Sequence, residues 1–146
     1  MIIADCHVHS KFSADSNAPM EHQIERAIAS GLKILTFTDH YDLDFPPLDG
    51  QDFLFDIPVY FDKIASMKEK YGSQIQIRYG IELGVQPHLG EECERIAKAY
   101  EWDFIIASTH LIFGLDPYYA EVFEKHSEQE CYEEYFRMSY ENMNVF

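Results

Sequence analysis

Positive charge is scarce in this sequence: 11 Lys and Arg stand against 26 Asp and Glu, leaving a formal charge of −15. An electrostatic binder of nucleic acid needs a basic footprint, and this chain carries the opposite. Anionic membrane surfaces repel it for the same reason, whereas metal cations are not repelled. Cysteine is scarce too. Cys6, Cys93 and Cys131 are odd in number and widely spaced, which fits reduced thiols in a cytoplasm better than a disulfide framework. No apolar run reaches the length needed to span a bilayer. Met1 to Asp5 lacks the basic and apolar regions of a secretory signal, and no low-complexity linker interrupts the chain.

What is present is ample material for a core. Hydrophobic residues make up 47% of the chain and aromatics 15%, with 11 Phe and 10 Tyr, which excludes intrinsic disorder. The 146 residues are near the usual size of one domain, so residues 1–146 are read first as a single globular unit.

Four short apolar runs alternate with four helix-like stretches. The first run is Met1–Ala4. A helix is expected over Pro19–Ser30, with Glu21 in its first turn and Gly31 just past its end. The second run, Lys33–Thr38, is rich in strand formers and leads into an acidic, aromatic loop from Asp39 to Asp56. Asp56 can cap a helix that ends at Tyr71 before Gly72. The third run, Gln74–Ile81, closes on Glu82. A helix over Gly90–Tyr100 precedes the fourth run, Phe104–Ala107. Ser127-Glu128-Gln129-Glu130 is a capping box that opens a last helix with a solvated acidic face. The repeat is βα, four times over, with crossovers long enough for parallel strands, so the fold class is parallel α/β.

Laying the ionisable residues over those strands gives the functional signal. His7 and His9 follow the first strand, Asp39 and His40 the second; Glu82 closes the third, and His110 follows the fourth. Each strand thus delivers a metal-ligand residue type at its carboxyl end, the edge where parallel α/β folds build their sites. In an extended segment His7 and His9 project to one side and can grip one cation, with Asp5 placed to orient one imidazole. With Asp15, they form a candidate metal set of His7, His9, Asp15, His40, Glu82 and His110. Mixed imidazole and carboxylate donors suit zinc, iron or manganese better than calcium or magnesium. Asp39 is read as a partner of His40 or a cap rather than a ligand. His88, just beyond Glu82, is a candidate substrate contact. His22 and His126 are read as surface residues, and Cys6 as core.

Asp5-Cys6-His7-Val8-His9-Ser10, Phe12-Ser13-Ala14-Asp15-Ser16, Thr38-Asp39-His40, Gly80-Ile81-Glu82 and Ser108-Thr109-His110 together resemble the PHP (polymerase and histidinol phosphatase) superfamily in order and spacing. Thr38–Asp44, Gly80–Gly84 and Asp116-Pro117-Tyr118-Tyr119 resemble its monofunctional histidinol-phosphatase branch. The resemblance runs over the whole chain. It implies a distorted (β/α)7 TIM-like barrel with up to three divalent metals (zinc, iron or manganese) at the carboxyl ends of its strands. In that frame His7, His9 and Glu82 hold one metal; Glu82 bridges to a second, which His110 also binds; Asp15 and His40 hold the third. The reaction implied is hydrolysis of L-histidinol phosphate, a small phosphorylated substrate of histidine biosynthesis, with no nucleic acid or membrane partner. Alternatives are another PHP phosphoesterase (a nucleotide phosphodiesterase, an exonuclease or a protein-tyrosine phosphatase) and a metal-binding fragment without catalysis. Divalent metals clamp phosphoryl oxygens and lower the pKa of a bridging water, the nucleophile expected here. Three such ions would take the formal charge from −15 to about −9. The substrate's imidazole end would meet the Tyr41–Asp56 loop, with Asp42 and Asp44 as candidate contacts.

A complete barrel of this kind needs about 250 residues, and the family's late histidine and Asp-x-His motif have no counterpart here. The chain is therefore expected to supply the N-terminal four βα units. Alone it is expected to bind metal weakly, turn over little substrate and self-associate through exposed strand edges.

Overall fold

A computed structural model describes residues 2–46 and 53–145; Pro47–Asp52, within the expected aromatic loop, lie outside them. Five parallel strands form one curled sheet, a half-barrel. Strands β1 (Ala4–Val8), β2 (Ile34–Phe37), β3 (His40–Asp42), β4 (Gln76–Gly84) and β5 (Phe104–Ser108) alternate with α1 (Met20–Ala29), α2 (Ile57–Tyr71), α3 (Gly90–Ala99), α4 (Glu121–Lys125) and α5 (Glu128–Val145). β4 is the spine. Its first half pairs with β2 from Ile34↔Gln76 to Phe37↔Tyr79, and its second half with β3 from His40↔Glu82 to Asp42↔Gly84. The N–H groups of Gln76 and Glu82 donate to Lys33 O and Asp39 O, whereas that of Val85 donates to Ser108 O. Strands β2 and β3 thus occupy one edge of β4, as a single strand broken at Thr38–Asp39, and β5 occupies the other. β1 pairs with β2 across a register shift between Asp5 and Val8.

The expected punctuation positions these elements. Gly31, at φ 83°, ends α1; its N–H donates to Ile28 O and that of Leu32 to Ala27 O, closing the helix in a Schellman motif. Asp56 accepts from Val59 N–H at 2.9 Å to cap α2, and Ser127 with Glu130 forms the capping box of α5.

Three expectations shift. The first strand is Ala4–Val8 rather than Met1–Ala4, leaving Ile2 and Ile3 exposed. The run of apolar residues misplaces it because the strand itself carries polar residues toward the site. The stretch after Thr38 contains β3, which joins the sheet through main-chain bonds that its polar sequence does not advertise. α4 also has no counterpart among the expected helices.

One face of the sheet carries the core. Leu35, Phe37 and Ile77 pack with Ile24 of α1 and Tyr60, Ile64 and Met67 of α2, and Ile81, Leu83 and Val85 pack with Cys93 and Ile96 of α3. Successive strand residues point to opposite faces, so the residues alternating with these, Glu82 among them, face the concave side. Cys6 is half-buried rather than core. Among the described residues, no helix is long and apolar enough to cross a membrane.

Candidate metal centre

The carboxyl ends of the strands bring the expected donors together around one carboxylate. Glu82 lies in the middle of the sheet and is 3% exposed. Its Oε2 is 2.9 Å from His7 Nε2, 3.0 Å from His9 Nε2 and 3.7 Å from His40 Nε2. Its Oε1 is 3.0 Å from His110 Nε2 and accepts from Ser108 Oγ at 2.7 Å. His9 turns its other nitrogen to Asp15 Oδ2 at 3.0 Å, and His40 Nε2 lies 3.7 Å from the same oxygen. Four imidazoles and two carboxylates, from β1, the loop after it, β3, β4 and the loop after β5, therefore share one patch.

The strand ladder explains this convergence. His40 is the register partner of Glu82 on β4, and neighbours in register share a face. Gly84 supplies the space for Asp42, its own register partner: a Cβ there would sit 2.6 Å from Asp42 Cγ, so a side chain at residue 84 would displace this carboxylate.

Asp42 is 5% exposed beside two histidines. His110 Nδ1 donates to its Oδ2 at 3.0 Å, and His40 Nδ1 lies 3.5 Å away. It thus orients His110 while standing in the wall of the cavity beside the donors. Asp44 and His88 stand apart from the cluster as an exposed pair, 3.2 Å between carboxylate and ring nitrogen. Asp5 differs as well: its carboxylate accepts from the main-chain N–H of His7, not from an imidazole. Of the histidines read as surface, His22 is exposed and His126 stacks on Phe113.

Electrostatics follow from the geometry. The hydrogen bond to Glu82 holds the His9 imidazolium up to about 9, with Asp15 adding to it against the cost of burial. Burial opposes charge on His110, yet its bonds to Asp42 and Glu82 outweigh that and raise it to about 9. Burial would likewise raise Glu82, but donation from His110, His9 and Ser108 holds it well below the usual carboxylate range.

The donor set fits a cation. Three groups place ligand atoms within 4.8 Å of one another: His7, His9 and Glu82; His9, Asp15 and His40; His40, Asp42 and His110. His40 Nδ1 and Asp42 Oδ1 are buried and make no hydrogen bond, the kind of unmet polar demand that a bound ion satisfies. Beside them opens a cavity of about 730 Å³, lined by Asp15, His40 and His110 and by the aromatic rings of Phe45, Phe53 and Tyr119. Sequence reading missed Ser108 and the orienting role of Asp42; the small residue at Gly84, opposite Asp42, is the signal that could have found the latter.

Comparison with known proteins places the chain in a family. The chain is 33% identical to a histidinol-phosphatase of Lactococcus lactis subsp. lactis (strain IL1403), over 97% of this chain and 54% of that protein. It is 26% identical to a histidinol-phosphatase of Bacillus subtilis (strain 168), over 95% of this chain and 59% of that one. A crystal structure of histidinol phosphate phosphatase from L. lactis, complexed with zinc, L-histidinol and phosphate, superposes with a TM-score of 0.85 at 33% identity and covers 93% of this chain and 51% of that one. The chain thus spans about half the length of these relatives. The PHP domain model matches residues 5–144, and the chain belongs to the PHP domain family.

Proposed function

We propose that this chain provides the N-terminal donors of a metal-dependent phosphomonoesterase that converts L-histidinol phosphate and water to L-histidinol and phosphate. The observation that carries the reading is Glu82, a buried carboxylate whose two oxygens reach four imidazoles from two strands and two loops. Buried charge of this density is costly unless it serves a ligand. The relatives named histidinol-phosphatase, and the neighbour that holds zinc, L-histidinol and phosphate, support the substrate.

In this reading His7, His9 and Glu82 hold one divalent ion, Glu82 and His110 a second, and Asp15 with His40 a third; zinc, iron or manganese match the donors. Such ions supply charge neutralisation for the phosphoryl group and activation of water. The protein does the rest through placement. Asp42 keeps a proton on His110 Nδ1, so that with an ion bound Nε2, which otherwise donates to Glu82, would be free to offer its lone pair to that ion. Ser108 holds Glu82 Oε1 in one orientation. The aromatic walls formed by Phe45, Phe53 and Tyr119 suit the flat imidazole of the substrate and restrict water beside the donors.

The test is phosphate release from L-histidinol phosphate beside a nucleotide diester, with and without added zinc or manganese. Metal-dependent release from the monoester is expected, slow for this chain by itself because it spans about half the length of its relatives. Release from the diester alone would overturn the substrate assignment, and no release from either would favour metal binding without hydrolysis.

A further inference from the structure

We propose that Asp39 is a positioning residue whose buried carboxylate locks the Ser10–Ser13 turn to the break between β2 and β3, and so holds Asp15 and His40 at the separation a cation requires. The inference rests on the metal-binding reading above and concerns one of its donor groups. Asp39 is wholly buried. Its Oδ1 accepts from the main-chain N–H groups of Ser10 and Ser13, and its Oδ2 from Ser10 Oγ. Ser13 answers across the same gap: its Oγ accepts from His40 N–H at 2.8 Å. The turn is thus fastened at both ends to Asp39, in the strand break, and at Ser13 also to His40, the first residue of β3. Phe12, at its centre, packs on Tyr60 and Phe55, and Tyr60 OH donates to Gly80 O, which anchors the turn to the spine of the sheet.

The bonds are selective in what they hold. The turn joins His9 to Asp15, and the strand break leads directly into His40; these three form one of the donor groups. The Asp39 side chain touches neither Glu82 nor His110; the link to β4 here is the main-chain bond from Glu82 N–H to Asp39 O, which a side-chain change leaves in place. No basic side chain among the described residues pairs with Asp39. A buried carboxylate without a cationic partner costs stability, so a turn that only had to close would be better served by a neutral residue. One carboxylate accepting three bonds fixes the turn more rigidly than such a residue could.

The experiment titrates the metal-free chain with Co2+, following visible absorption and bound ions per chain, in Asp39→Ala, Asp39→Asn, Asp15→Ala and the double variant Asp15→Ala/Asp39→Ala. Asp39→Ala should weaken the same class of cation site that Asp15→Ala weakens, by ~10-fold or more, and leave the other classes unchanged. Asp39→Asn keeps an acceptor for the two N–H groups and can donate to Ser10 Oγ, so it should recover most of that loss. The double variant should bind no more weakly than Asp15→Ala alone. A titration of Asp39→Ala that superposes on the parent, a loss spread over every class, or additive losses in the double variant would each overturn the proposal. If Asp39→Ala does not fold, Ser13→Ala removes only the bond to His40 N–H, and an unchanged titration there overturns it equally. Full binding by Asp15→Ala would instead remove the donor assignment on which the proposal stands.

Discussion

The two faces of β4 are equally buried and chemically opposite. Ile81 and Leu83 are 0% and 1% exposed against α2 and α3, and Glu82 between them is 3% exposed among imidazoles. On the convex face burial is itself the stabilising event, worth roughly 25 cal/mol per Å2 of apolar surface removed from water. On the concave face burial is a cost, offset by the histidines and Ser108 around Glu82. Burial alone therefore does not distinguish core from site; the partners do.

If that contrast is right, variants on the two faces should fail in different ways. Ile81→Ala should lose about 2–5 kcal/mol of folding stability, read by denaturant melts of the metal-free protein, while the refolded fraction binds metal as before. Glu82→Gln should do the reverse: metal affinity should fall ~100-fold, the upper end for perturbing such a site, with the fold retained by circular dichroism. Equal loss of stability and metal binding in both variants would erase the distinction. Asp42→Asn should weaken metal binding by ~10-fold, because it removes the charged acceptor that orients His110 while keeping a side chain of the same size in the wall of the cavity.

A pH series sharpens the same contrast. His9 and His110 are raised to about 9 in the folded, metal-free chain, against roughly 6.5 when unfolded. Their contribution to stability is complete below the unfolded value and is lost as pH rises through about 9. Melting of the chelator-treated protein should therefore fall between pH 6.5 and 9.5, and metal affinity should rise over the same interval as the imidazoles lose their protons. A flat melting profile would mean that the concave face contributes nothing electrostatic. The smallest effect belongs outside both faces: Asp44→Ala and His88→Ala remove an exposed pair and should change stability by under about 1 kcal/mol.

The βα repeat was legible because α1, α2 and α5 each advertise an end, through Gly31, Asp56 and the Ser127–Glu130 box, and because β2 and β4 are dense in strand formers. β1 and β3 were harder to read. Both turn polar site residues toward the concave face, so the apolar pattern that marks a strand is missing where the site is built. The donor set was visible as residue types at strand ends. Its internal division was not, since the separation of Asp42, an orienting acceptor beside His110, from Asp44, an exposed rim residue, depends on which face of β3 and the following turn each occupies.

By itself the sequence determined the parallel α/β architecture, the acidity that favours cations and the residues able to hold them, because strand propensity, capping and ligand chemistry are local properties. Only the tertiary structure decided that Glu82 is the common partner of His7, His9 and His110, that Gly84 makes room for Asp42, and that the Asp39 carboxylate accepts from the Ser10–Ser13 turn. Those outcomes depend on the register between strands whose partners are 24 to 42 residues apart, and register is set by cooperative packing of the whole sheet rather than by any one segment.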